Sequence, residues 1–116
     1  MTVDYQHLYD TAVINPVHLA ELKGVADKIK HGQPRYEGVA ATLNNGIPWW
    51  FIGITHFMEA GAFKDPFSRH LHCGDPLTAR TVNVPKGRPL FNPAGGSEPP
   101  SATNPYTWEE TALDAL

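Results

Sequence analysis

The sequence predicts a mainly α domain with a small β-hairpin, an α+β fold, on three observations. Apolar residues recur at three- and four-residue steps over much of the first half of the chain. A β-branched run, Thr81, Val82 and Val84, follows the turn signal Gly74-Asp75-Pro76. Thr107 and Glu110 form a capping-box pair at the head of one more helix. A chain of 116 residues is expected to make a single domain, 1–116, with 85–105 as an extended loop within it.

The elements follow in order. Tyr5, Leu8, Tyr9 and Ala12/Val13 outline a short first helix over 4–14. Asn15-Pro16 restarts the chain with a capping side chain and a proline suited to a helix N-terminus. Leu19, Leu22, Val25/Ala26 and Ile29 then mark an amphipathic helix to about Lys30, closed by His31-Gly32. Pro34 opens the next, with Tyr36, Val39/Ala40 and Leu43 on its inner face and Asn44-Asn45-Gly46 as its stop. Gly46 and Pro48 introduce the helix around which the rest is organised. In it Ile47, Trp50/Phe51, Ile54 and Phe57/Met58 form one wide apolar face, with Trp50 as a core residue and Gly61 as terminator.

After Gly61 the helical period is lost. Pro85, Pro89, Pro93, Pro99, Pro100 and Pro105 make 85–105 a loop or arm. The last helix carries Trp108, Ala112, Leu113 and Leu116 in phase and stops without a C-cap, so its apolar face is expected to need a partner.

Composition narrows the function classes. A net charge of −3 with no basic cluster gives no support for nucleic-acid binding. The one cysteine, Cys73, excludes an internal disulfide. Met1 to Asp10 lacks the basic and then apolar pattern of a signal peptide, and no apolar run is long enough to span a bilayer. The expectation is a protein made in the cytoplasm without membrane insertion.

Glu59 is the residue that helix stability does not explain. A carboxylate near a helix C-terminus faces the negative end of the dipole. Asp75 and Thr81 follow on a turn and strand that can fold back over that end. One carboxyl among aromatic side chains and another in a wetter turn is the arrangement of a general acid and its partner.

The stretch Ile47-Pro48-Trp49-Trp50 through His56-Phe57-Met58-Glu59, then Ser68-Arg69-His70-Leu71-His72-Cys73-Gly74-Asp75-Pro76-Leu77-Thr78-Ala79-Arg80-Thr81, resembles the phage and bacterial lysozyme-family muramidases. Tyr106-Thr107-Trp108-Glu109-Glu110 resembles the start of their next helix, and the likeness covers about residues 35–116. It implies a lysozyme-like fold and cleavage of the β-1,4 bond between N-acetylmuramic acid and N-acetylglucosamine in peptidoglycan. Glu59 matches the family's general acid, and Asp75 and Thr81 match a water-positioning pair, so the catalytic set is Glu59, Asp75 and Thr81. The sequence departs from the pattern after Glu59, where Ala60 and Gly61 follow, and at Leu116, where the family continues with further helices.

With that resemblance, His56, His70, His72, Arg80 and Trp49 become candidates for binding the glycan by hydrogen bonding, charge and stacking. Arg80 is also a candidate ion-pair partner of Glu59 or Asp75. The donors His56, His70, His72, Cys73 and Asp75 suit zinc in type but lack the paired spacing of zinc sites, so neither metal nor cofactor is expected. Two further readings stay open beside the enzyme: a non-enzymatic tail or baseplate module derived from a lysozyme, and a small metal-binding domain. As an enzyme it would act as an endolysin at the cell wall or ride in the virion. Its C-terminal helix is expected to join a second copy or a phage structural partner.

Overall fold

The computed structural model describes residues 2–90 and 106–116. Five α-helices are present there: α1 Tyr5–Thr11, α2 Leu19–His31, α3 Gln33–Leu43, α4 Trp49–Ala60 and α5 Trp108–Ala115. Single 3-10 turns, Pro16–His18 and Pro66–Ser68, precede α2 and follow α4.

The caps follow the side chains. Asp4 accepts from the His7 N–H to start α1, and Asn15 accepts from Val17 to start the turn into α2. Asn44 ends α3 in the left-handed conformation (φ 46°), returning its N–H to the Ala40 carbonyl. The predicted capping box is present at α5, where Thr107 and Glu110 each satisfy the other's backbone N–H.

α4 packs on α2 and α3, and α5 lies on α3. The core comprises Tyr36 and Val39 of α3, Ile52 of α4, Leu71, Leu77 and Tyr106 of the connecting segments, and Trp108 and Ala112 of α5. α2 joins this core through Ile29 near its C-terminal end, whereas Leu19, Leu22 and all of α1 are exposed.

The fold class requires correction: the described residues are all-α and contain no strand, so the expected β-hairpin is absent. One isolated antiparallel bridge joins Arg69 and Pro76. The cause lies in the hydrogen bonding of the Thr81–Val84 run. The Val82 and Asn83 N–H groups point at the Asp75 carboxylate and not at a neighbouring strand. Pro85 and Pro89 have no N–H to offer a ladder. Thr81 and Arg88 instead close a tight loop, Thr81 N–H donating to the Arg88 carbonyl at 2.8 Å. Val82 and Val84, 71% and 88% exposed, have no sheet face to pack on. Of the expected 85–105 loop, 85–88 belong to this closed loop, 89–90 follow it, and 91–105 lie outside the described residues.

A second difference concerns α4. Its buried face is Ile52, Gly53, His56 and Ala60, while Trp50, Phe51, Ile54 and Met58 form an exposed stripe. Trp50, expected in the core, is 52% exposed. From Trp49 to Met58 the helix has no Asp, Glu, Lys or Arg, so its apolar residues mark two faces and do not single one out. Gly53 selects the inner one: a Cβ there would come within 2.5 Å of the Ile29 side chain, so only glycine lets α2 approach this closely.

The C-terminal helix also differs from expectation. Trp108 and Ala112 are buried, and Leu113 and Leu116 pack partly buried against the core. α5 therefore covers its own apolar face within the chain.

Candidate functional site

α4 ends at Ala60, and the 69–76 segment turns back against that end. Gly74 (φ 76°) makes the contact, since a Cβ there would lie 2.8 Å from the Glu59 carbonyl oxygen. The turn is closed by two backbone bonds, His70 N–H to the Asp75 carbonyl at 2.7 Å and Gly74 N–H to the His70 carbonyl at 2.9 Å. Glu59 and Asp75 are thereby both brought near Cys73, and both negative charges act on its thiol. Burial is the main influence on that thiol and, with them, raises its pKa, which leaves Cys73 a poor nucleophile.

The two carboxylates have surroundings opposite to those expected, which put the Glu59 carboxyl among aromatic side chains and Asp75 in a wetter turn. Glu59 is exposed, and its side chain makes no hydrogen bond or ion pair among the described residues. Asp75 is buried. Its Oδ2 accepts from Val82 N–H at 2.8 Å and Asn83 N–H at 2.9 Å, and its Oδ1 accepts from Asn83 Nδ2. Burial pushes the carboxyl up, but the donors of Asn83 and Val82, with the Cys73 thiol, outweigh it and hold Asp75 down at about 2. A carboxylate has room for about four such bonds, so Asp75 is filled from within. Thr81 is likewise engaged: its hydroxyl donates to the Pro85 carbonyl and accepts from Arg88 N–H at 2.9 Å. Both side chains shape the 75–88 loop, which follows directly on the Gly74 contact with Glu59.

The three candidate histidines are interior. His56, 1% exposed, donates from Nε2 to the Pro66 carbonyl at 3.0 Å and accepts at Nδ1 from the Tyr36 hydroxyl at 2.8 Å. Its ring lies among Tyr36, Phe67 and Trp108. His70 donates from Nε2 to the Ala79 carbonyl, and His72 from Nε2 to Asp114 Oδ2 at 2.8 Å. Burial lowers the pKa of all three, so they are neutral at pH 7, and His72–Asp114 is then a hydrogen bond and not an ion pair. In these positions they hold segments together, and of the three only His56 reaches a cavity wall, with both its ring nitrogens already bonded. Arg80 is partly buried and forms no ion pair with Glu59 or Asp75, and Trp49 packs half-buried against the core. Among the described residues no group of three His, Cys, Asp or Glu side chains could hold a metal ion.

Two residues central to this region carried no signal in the sequence. Asn83 supplies two of the donors on Asp75. Asp114 gathers His72, Arg88 and the Leu90 N–H on one carboxylate. Neither stands at a fixed short spacing from the groups it binds, so only the fold reveals them. A cavity of about 580 Å³ opens beside the end of α4, but Glu59, Asp75 and Thr81 are not among its walls. The chemistry implied by the carboxylates and this cavity are therefore separate features. No helix in the described residues is long and apolar enough to cross a membrane. No family model, curated protein or solved structure matches the chain.

Proposed function

We propose that the chain is a peptidoglycan hydrolase of the muramidase type, in which Glu59 protonates the leaving oxygen of the β-1,4 glycosidic bond. The observation that carries this reading is the contrast among carboxylates. Asp75, Glu109 and Asp114 are each tied to donors within the chain, whereas Glu59 is exposed at the end of α4, beside Gly74, with no side-chain partner among the described residues. Asp27 and Asp65 share this freedom but not this place. A general acid must be reachable by substrate and must not be neutralised by a fixed cation. In this reading Asp75 and Thr81 act as positioning residues: they fix the loop beside Glu59 and set where the sugar and its attacking water sit. The resemblance over Ile47–Thr81 supports the substrate, a glycan of alternating N-acetylmuramic acid and N-acetylglucosamine. Loss of turbidity of a murein suspension tests it, with Glu59→Gln as the inactive comparison.

A second reading rests on a different observation, the exposed stripe Trp50, Phe51, Ile54 and Met58 on α4. A contiguous apolar helix face of this kind suits a non-enzymatic tail or baseplate module that docks on a neighbour or on a second copy of itself. Absence of murein cleavage together with stable self-association would favour this second reading.

A further inference from the structure

The cavity beside α4 is formed where the C-terminal turns of α2 and α4 meet the Pro66–Ser68 turn. Ile29, Phe57, Phe63 and Phe67 give it apolar walls, and Tyr36 and His56 line it with them. The polar atoms of that pair are already engaged, Tyr36 with His56 and His56 with Pro66. A sugar or other polar guest would lose hydrogen bonds to water here and regain few. The volume of about 580 Å³ falls in the range of small-molecule sites, which lies at roughly 300–1,000 Å³.

Charge defines the other half of the guest. Lys28 and Lys64 are among the lining residues, with the His31 imidazole, and no Asp or Glu is. Both lysines are exposed and neither forms an ion pair among the described residues, so they are free to meet an anion. An apolar interior with cations on the lining suits a molecule with a hydrocarbon body and one terminal negative charge. A cationic amphiphile would meet like charge, and a neutral one would leave the lysines unused.

We propose that this cavity is a binding site for a single-chain anionic amphiphile, a medium-length fatty carboxylate. Its chain lies among Ile29, Phe57, Phe63 and Phe67, and its carboxylate meets Lys28 and Lys64. The site is separate from Glu59 and does not depend on the hydrolase reading.

Calorimetric titration of the full chain with decanoate, decanol and decyltrimethylammonium, each below its micellar concentration, tests the proposal. Decanoate is expected to bind one to one and at least tenfold more tightly than decanol, with decyltrimethylammonium weakest. The double variant Lys28→Glu, Lys64→Glu changes two exposed side chains, so it should keep the melting temperature and lose decanoate affinity tenfold or more. Equal affinity for the three amphiphiles, no binding of decanoate, or undiminished binding by the double variant would overturn the proposal. Uptake onto phosphatidylglycerol vesicles without binding of monomeric decanoate would overturn it too, because it would show a membrane surface in place of a site for one chain.

Discussion

Arg88 donates through Nε to Asp114 Oδ2 at 2.8 Å, and so ties the loop that follows Thr81 to the last turn of α5. The same carboxylate takes His72 Nε2–H and Leu90 N–H. Burial pushes it up, but these donors, with the Arg88 charge, hold it below the usual range. Asp114→Ala would strip three donors of one acceptor and leave the guanidinium without its counter-ion. The expected cost is about 3 kcal/mol or more, since three donors lose one shared acceptor and each unmet group costs about 1–3 kcal/mol. Arg88→Met should cost less, about 1–3 kcal/mol. Urea titrations of the two variants give the comparison, and equal small losses would show that Asp114 is not the hub.

Acid should weaken the fold in two stages. His56, His70 and His72 have folded pKa values below the ordinary 6.5, chiefly because burial disfavours the charged ring. The unfolded chain therefore binds protons that the folded chain refuses, and stability falls as pH drops below 6.5. Asp75, held at about 2 against an ordinary 3.8, and Asp114 are depressed carboxylates, so their contribution is full above 3.8 and is lost as pH falls further. Melting temperature measured from pH 8 to pH 2 should show both declines. A flat profile between pH 7 and 5 would contradict the interior placement of the histidines.

Glu59→Gln should leave the unfolding free energy within about 0.5 kcal/mol of the parent, because the side chain is exposed and has no partner among the described residues. Murein clearing should fall by roughly 10²–10⁴-fold, the usual contribution of a positioned acid. Clearing that persists near the parent rate would remove Glu59 from the mechanism.

Two helical glycines should respond oppositely to alanine. At Gly24 in α2 nothing lies within 4 Å of the added Cβ, and Gly24→Ala should stabilise by about 0.5–1 kcal/mol through helix propensity. At Gly53 the same methyl would meet Ile29 at 2.5 Å and the Tyr36 ring at 3.1 Å, so Gly53→Ala should destabilise by about 1–3 kcal/mol. Thermal melts of the two variants decide it, and a stabilised Gly53→Ala would mean α2 is free to move away.

The α4 stripe predicts self-association at micromolar concentration. Met58, 78% exposed, and Trp50 are its most open members. Met58→Lys should return the chain to a monomer of 12.8 kDa in sedimentation without lowering its melting temperature. A parent that sediments as a monomer would leave the stripe without a second copy as partner.

What the sequence made legible follows from where local chemistry decides the outcome. The Asn15, Asn44 and Thr107–Glu110 caps are determined within four residues, and each is present. The inward face of α4 was not legible, because an uncharged helix offers two apolar faces and the choice rests on Ile29 reaching Gly53 from another helix. The strand at Thr81–Val84 was misread for a related reason. Its β-branched residues favour extended backbone, yet Asp75, six residues before Thr81, captures the N–H groups a strand would share. At the candidate site, the position of Glu59 at the end of α4 could be read locally, while the interior positions of His56, His70 and His72 depend on long-range partners.

The Tyr36–His56–Pro66 chain of hydrogen bonds has a consequence for how uniquely the helices fit. Most of the core is aromatic and aliphatic, and the attraction between such surfaces is non-directional, so it does not by itself name one register. One imidazole that must meet a hydroxyl from α3 on one nitrogen and a carbonyl from the 66–68 turn on the other is satisfied in a single register. A slip by one helical turn would bury both nitrogens unmet, at about 1–3 kcal/mol for each lost partner. His56 thus works as a key between three segments. The double replacement Tyr36→Phe with His56→Phe, which leaves the part-buried Pro66 carbonyl without its donor, should cost about 1–3 kcal/mol and yield a chain whose core resonances broaden into several interchanging packings.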